Sequence, residues 1–259
     1  MKELLFRILK EAGQAQKESF RKTHSIEIKE SISSIVTEVD LRCDQIISDA
    51  IRRDFPAHNI LTEESGLMDN HSQYTWVIDP LDGTSNFAAG IPWFGVLIAI
   101  FEDGVPILAG AYLPMDDLLY IAESGRGAFL NGKSLKIENS VLENSLVGFA
   151  IDYTDDAEFL DYGMNLYQLL IKNARNIRCT NSLVDLMMVV EGSLGANINM
   201  CTKIWDIAAP WLIIHEAGGT MRDIYNQKLK FELDEKSISR NYSIMAGSCS
   251  ILNEIASKQ

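Results

Sequence analysis

An α+β fold, with helices layered on mixed β-sheets, is the architecture this sequence predicts. Amphipathic helical stripes open the chain, and short apolar strands separated by turn signals crowd its middle. Helices and strands never settle into regular alternation, which argues against a parallel α/β sheet. No low-complexity linker or internal repeat divides the 259 residues, 47% of which are hydrophobic, so the chain can bury one large layered core.

Leu4, Leu5, Ile8 and Leu9 fall at helical spacing and predict an amphipathic helix through about Phe20. After a polar connector holding Lys29, Val39 to Phe55 predicts a second helix, with Leu41, Ile46, Ile47, Ala50 and Ile51 on its buried side. Asn59 to Thr62 and Thr75 to Ile78 predict short strands, each running directly into carboxylates. Phe94 to Phe101, Ile107 to Tyr112 and Leu118 to Ala122 predict strands parted by Asp103-Gly104 and by Pro114-Met115-Asp116. Asp156 to Lys172 and Ser182 to Glu191 predict helices, and Asn197 to Met200 a strand. Trp205 to Ala217 predicts a buried helix closed by Gly218-Gly219. Trp93, Trp211, Met187 and Met188 sit in apolar runs and are expected in the core.

The formal net charge of −13 repels nucleic acid and anionic membrane, so neither is expected as a partner. An acidic protein that handles phosphate esters needs local positive charge, which metal ions supply. Cys43, Cys179, Cys201 and Cys249 form no Cys-x-x-Cys pair, which speaks against a zinc site or disulfide scaffold and for a reduced, cytoplasmic setting. Charges throughout Lys2 to Lys10 leave no apolar signal-peptide core, and the apolar run Ile91 to Phe101 is too short to span a bilayer. His24, His58, His71 and His215 have no partner at ligand spacing and read as structural or surface residues.

The chemistry concentrates in Trp76-Val77-Ile78-Asp79-Pro80-Leu81-Asp82-Gly83-Thr84-Ser85-Asn86-Phe87. An apolar strand delivers Asp79 to its end, and Pro80 fixes the backbone and removes a donor, which frees the Leu81 carbonyl to face a cation. Asp82 adds a second carboxylate, and Gly83 lets the backbone approach a phosphate closely. Thr84 and Ser85 read as the start of a short helix whose free N–H groups favour anions. Hard oxygen ligands beside a phosphate cradle suit magnesium. Asp-Pro-x-Asp-Gly alone is also an ordinary surface turn. The adjacent carboxylates Glu63-Glu64 at a second strand end, and Asp206 opening an apolar helix, weigh against that reading. Asp206 at such a position also serves as a helix cap, and the two roles are compatible.

The order Asp40, Glu63-Glu64, Asp79-Pro80-Leu81-Asp82-Gly83-Thr84, then Trp205-Asp206 with eleven residues before Gly218-Gly219 resembles the signature of the inositol monophosphatase family. The likeness runs from about Lys29 to the C-terminus and includes Gly90-Ile91-Pro92 and Asn131-Gly132. It implies a layered α-β-α-β-α sandwich of the sugar-phosphatase type, in a single catalytic unit. About 1–140 would form the metal-binding half and about 141–259 the substrate-lip half. It further implies a lithium-sensitive, magnesium-dependent phosphatase that is a homodimer, with the apolar strand around Trp93 to Phe101 as candidate interface. One Mg2+ would be held by Glu63, Asp79 and the Leu81 carbonyl, a second by Asp79, Asp82 and Asp206, and a third, weaker ion would lie near Glu63. Thr84 and Glu63 would orient the attacking water, with Asp40 accepting the Thr84 hydroxyl proton. Lys29 stands where the family's active-site lysine does, eleven residues before Asp40. Leu81, Asp82, Gly83, Thr84, Lys29, Asn181, Asn199 and Asp206 would face the substrate, a small phosphorylated metabolite.

The substrate lip departs from the family pattern. Thr180-Asn181-Ser182 replaces Gly-Ser/Thr-Ala, and Asn199 stands seven residues before Asp206 where members acting on inositol phosphates carry glutamate. An amide is a weaker acceptor for hydroxyls than a carboxylate. Histidinol phosphate, fructose bisphosphate and nucleotide 3′-phosphates are therefore alternative substrates. A non-catalytic, metal-binding relative would be favoured by a missing ligand or a missing Thr84, and both are present.

Overall fold

The computed structural model describes residues 1–22, 24–29 and 34–259. Helix α1 (Lys2–Ser19) leads into the antiparallel pair β1 (Ile26–Ile28) and β2 (Ile35–Thr37). Helix α2 (Glu38–Asp54) follows directly, capped by Thr37, whose hydroxyl accepts from Val39 N while its N–H donates to Asp40. Then come β3 (Asn59–Thr62), β4 (Gly66–Met68), β5 (Tyr74–Asp82), the one-turn helix α3 (Thr84–Ala88), β6 (Gly95–Glu102), β7 (Val105–Leu113), β8 (Leu118–Glu123), β9 (Ala128–Leu130) and β10 (Lys133–Ser134). Strands β3 to β10 form one eight-stranded sheet in the order β10-β9-β8-β7-β6-β5-β3-β4.

The rest of the chain supplies β11 (Leu146–Ala150), α4 (Ala157–Asn173), β12 (Asn176–Arg178), α5 (Leu183–Val190), β13 (Ala196–Thr202), α6 (Ile204–Glu216), β14 (Thr220–Asp223), β15 (Tyr242–Gly247) and α7 (Cys249–Lys258). Its five strands pair in the order β12-β11-β13-β15-β14. Both sheets are mixed: β3 with β5, and β11 with β12 and β13, run parallel, while the other pairs are antiparallel.

Period-two alternation sorts the strand residues into layers. Trp76, Ile78, Val96, Ile98 and Ile100 pack with α1 and α2 on one face of the large sheet. Val77, Leu97, Ala99 and Phe101 turn the other way, onto α5 and α6, whose far side meets Ile244 and Ala246 of the small sheet. Val147, Ile198 and Met245 pack outward against α4 and α7. Three apolar seams thus bind five layers, α-β-α-β-α, as predicted.

Three expectations are corrected. Leu41 is exposed, because α2 turns Asp40, Asp44 and Ser48 inward with Cys43 and Ile47, and apolar spacing alone cannot reveal an inward polar stripe. Trp93 is 40% exposed rather than core. From Gly95 to Phe101 the strand is fully covered within the chain, between β5 and β7, so it offers no surface to a second copy. Ile98 lies at 0% exposure in this central strand. Ile98→Ala should therefore cost about 2–5 kcal/mol of unfolding free energy in urea titration; a loss well below that range would mean the site collapses without a cavity.

Candidate metal centre

The predicted strand Thr75 to Ile78 in fact continues through Asp82, and its pairing with β6 slips between Asp79 and Asp82. Asp79 stands opposite Leu97 and Asp82 opposite Gly95, so Pro80 and Leu81 share the single partner Val96. This bulge bends the strand and places two carboxylates on one side of it. Leu81 N donates to Asp79 Oδ1 at 3.0 Å, which closes the turn. Gly83 follows at φ +83°, and a Cβ there would lie 2.6 Å from the Trp93 carbonyl, so only glycine fits.

Asp206 arrives from the far half of the chain, in the first turn of α6. Its Oδ2 accepts from Thr202 Oγ1 at 2.6 Å and from Lys203 N at 2.7 Å, so it caps the helix while facing the cleft. Ligand oxygens of Asp79, Asp82 and Asp206 lie within 4.8 Å of one another. Burial pushes the carboxyls of Asp79, Asp82 and Asp206 above their ordinary range, and the neighbouring acids push Asp79 and Asp82 further. Buried like charges this close need a cation or a proton. The donor set, hard oxygens only, suits a divalent ion such as Mg2+.

Glu63, at the end of β3, lines the same cleft of about 370 Å³. Burial and nearby acids raise its carboxyl to about 8 in spite of Lys29, whose Nζ lies 2.9 Å from Glu63 and 2.6 Å from Glu64. Lys29 itself is held charged: burial pulls its ammonium down, and the two glutamates more than reverse that. Lys29 thus occupies one Glu63 oxygen, and Glu63 stands outside the tight cluster of three aspartates. Asp40 does not line the cleft; it lies behind Thr84 and accepts from its hydroxyl at 2.8 Å. Thr37 N and Thr37 Oγ1 also donate to Asp40, at 2.9 and 2.5 Å, and counter only in part the burial that keeps its carboxyl raised. The Thr84 hydroxyl is also 3.0 Å from the Leu81 carbonyl.

Leu81, Gly83, Thr84, Asn181 and Asn199 also line the cleft, and Lys29 is not among its lining residues. Four lip residues escaped sequence reasoning. Asp152, just past β11, accepts from Asn181 Nδ2 at 2.8 Å and lines the cleft beside Asn199. Asp185 is 1% exposed and accepts from the backbone N–H of Thr180 and Asn181. Asn86 donates to the Thr180 carbonyl at 2.9 Å. Leu183 N donates to Asp82 Oδ1 at 2.6 Å, tying the lip to the aspartate cluster itself. No local spacing signals such long-range pairs. The histidines have other partners: His58 accepts from Trp76 Nε1, and His215 stacks on Trp211.

Two variants test this electrostatic picture without any ligand. Asp79→Asn removes one of three crowded carboxylates and should leave the EDTA-treated protein as stable as wild type or more so, by about 1 kcal/mol. Thr84→Val strips a donor from buried Asp40 and should cost about 1.5–3 kcal/mol. Urea unfolding of both decides; a marked loss of stability in Asp79→Asn would show that the cluster is not under strain.

The model of the inositol monophosphatase family matches residues 1–257. A protein of Aquifex aeolicus, fructose-1,6-bisphosphatase/inositol-1-monophosphatase, is 34% identical over 210 residues, covering 80% of this chain and 79% of its own. The Nus factor SuhB of Escherichia coli is 33% identical over 227 residues, 86% of this chain and 85% of its own. A solved IMPase/NADP phosphatase complexed with Mg2+ and phosphate superposes with a TM-score of 0.83 at 25% identity, covering 99% of this chain and 94% of its own. Fold, cleft and these likenesses agree: the chain belongs to the inositol monophosphatase family and is a phosphatase.

Proposed function

We propose that the protein hydrolyses small phosphate monoesters in a magnesium-dependent reaction at the Asp79–Asp82–Asp206 cleft. The observation that carries this is the cluster of three carboxylates within 4.8 Å, set beside Gly83 and Thr84 in one cleft. Asp79, Asp82 and Asp206, with Glu63 and the Leu81 carbonyl, would hold two or three Mg2+ ions, which supply positive charge to a phosphoryl group in transfer. Thr84, its hydroxyl proton directed to Asp40, presents a lone pair to an incoming water and aligns it. Glu63, at the end of the neighbouring parallel strand, would face the same water, with Lys29 fixing its carboxylate. The Gly83 backbone lets the phosphate approach without a side chain in the way.

The leaving group meets Asn199, Asn181 and Asp152 on the far wall. Ala150 of β11 pairs with Asn199 of β13, so Asp152 emerges beside the position where the family's glutamate is missing. That carboxylate supports a hydroxyl-bearing leaving group, inositol or another polyol, with an amino alcohol such as histidinol as the alternative. The net charge of −13 supports a small ester over a nucleic acid as partner. A cytoplasmic location and a homodimer complete the reading; exposed Ile91 and Trp93, rather than the covered strand after them, would supply apolar contact area.

Phosphate release from a panel of inositol, sugar, nucleotide and amino-alcohol phosphates with millimolar Mg2+ tests the activity; silence on all of them rejects it. Asp79→Asn should abolish nearly all turnover. Asp152→Asn exchanges a charged acceptor for a neutral one. It should lower kcat/KM for inositol phosphate relative to glycerol 2-phosphate by about tenfold. An unchanged ratio would take Asp152 out of the subsite.

A further inference from the structure

We infer that Gln16 is a positioning residue for the metal-binding turn, reaching it from the outer helix α1. Three observations meet at this side chain. First, Gln16 is fully buried, at 0% exposure, on a stripe whose other members are Leu5, Leu9 and Ala12, where an apolar residue belongs. Second, its Nε2 donates to the carbonyls of Pro80 at 2.8 Å and Gly95 at 3.1 Å. The Pro80 carbonyl lies within the bulge between Asp79 and Asp82, and Gly95 is the residue paired with Asp82 at its end, where ladder pairing slips and buried backbone groups need other donors. Third, its Oε1 is buried with no partner among the described residues. Turning the amide over would set that oxygen against two carbonyls, so the orientation is forced.

An unpaired buried acceptor costs about 1–3 kcal/mol, so an apolar side chain would suit the seam better if packing were the sole demand. What the glutamine adds is a clamp between the bulged residue Pro80 and the strand opposite it. The helix comes close enough because Gly13, one turn earlier, has no Cβ; one there would fall 2.4 Å from the Tyr112 ring. With Pro80 and Gly95 tied to one amide, Asp79 and Asp82 keep fixed separations from Asp206, and the Leu81 carbonyl keeps its direction. Gln16 touches neither substrate nor ion and acts through the turn.

This rests on the metal reading above, and the test separates the two. Mn2+ binding to EDTA-stripped protein is measured by electron paramagnetic resonance for wild type, Gln16→Met and Ile8→Val. Methionine has nearly the same length and no donor. Ile8 lies on the same helix and seam without reaching the turn, so Ile8→Val reports the effect of a mere loss of packing. Supporting partners of metal ligands are worth about 10–100-fold in affinity. Gln16→Met should weaken Mn2+ binding by at least about tenfold, while Ile8→Val, compared at matched melting temperature, binds like wild type. If Gln16→Met does not fold, Gln16→Asn replaces it, keeping the amide but one methylene, about 1.5 Å, short of its carbonyls. Equal affinity in the glutamine variant and wild type overturns the inference, as does a weakening that Ile8→Val shares. Absence of Mn2+ binding in wild type would instead sink the metal reading.

Discussion

Three carboxylates crowded together with little access to water are the constraint around which this molecule is arranged. Asp79 and Asp82 stand three residues apart at the end of β5, around a bulge, and Asp206 enters from a helix more than a hundred residues later. Their oxygens converge within 4.8 Å, and burial alone already disfavours their charged forms. Such a site is poor for stability and good for binding a small, hard cation. The neighbouring features read as consequences. Backbone N–H groups of Lys203 and Leu183 and the Thr202 hydroxyl donate to Asp206 and Asp82 and hold these carboxylates in place. Lys29 balances Glu63 and Glu64 at the rim.

The five-layer stack explains how such distant segments are held in register. The middle layer, α5 and α6, packs on both sheets at once, and the N-terminal ends of both helices point into the cleft: α5 gives Leu183 N to Asp82, and α6 gives Asp206. The large sheet contributes the bulged end of β5 and the end of β3, and the small sheet contributes the Asn199 wall. Neither half holds the centre alone, because Asp206 and the Leu183 amide come from one half and the other two aspartates from the other.

What the sequence reveals tracks how local each feature is. The turn Asp79 to Thr84 is legible because its carboxylates, proline and glycine are contiguous and each has a separate chemical reason to be there. Glu63-Glu64 and Asp206 are legible as acids at element ends, and Asp40 as a partner of Thr84 only through the family likeness. Residues acting across long separations leave no local trace. Asn86 to Thr180, Asn181 to Asp152 and Gln16 to Pro80 each join segments far apart in the chain. Gln16 does leave a faint mark, a polar residue on an apolar helical stripe. Leu41 and Trp93 mislead for the converse reason: apolar character fixes a preference for burial, whereas the inward face of α2 was set by Asp40, Asp44 and Ser48.

The central claim is that the aspartate cluster is an electrostatic deficit that a divalent cation fills. The most direct measurement is the melting temperature of EDTA-stripped protein as Mg2+ is titrated in, for wild type beside Asp79→Asn. A cation that binds only the folded chain must raise its stability in proportion to the logarithm of its concentration above the dissociation constant. The account predicts a rising melting temperature for wild type and a flat one for Asp79→Asn, whose metal-free value equals or exceeds that of wild type. A wild-type melting temperature indifferent to Mg2+, or an equal rise in both proteins, would contradict it.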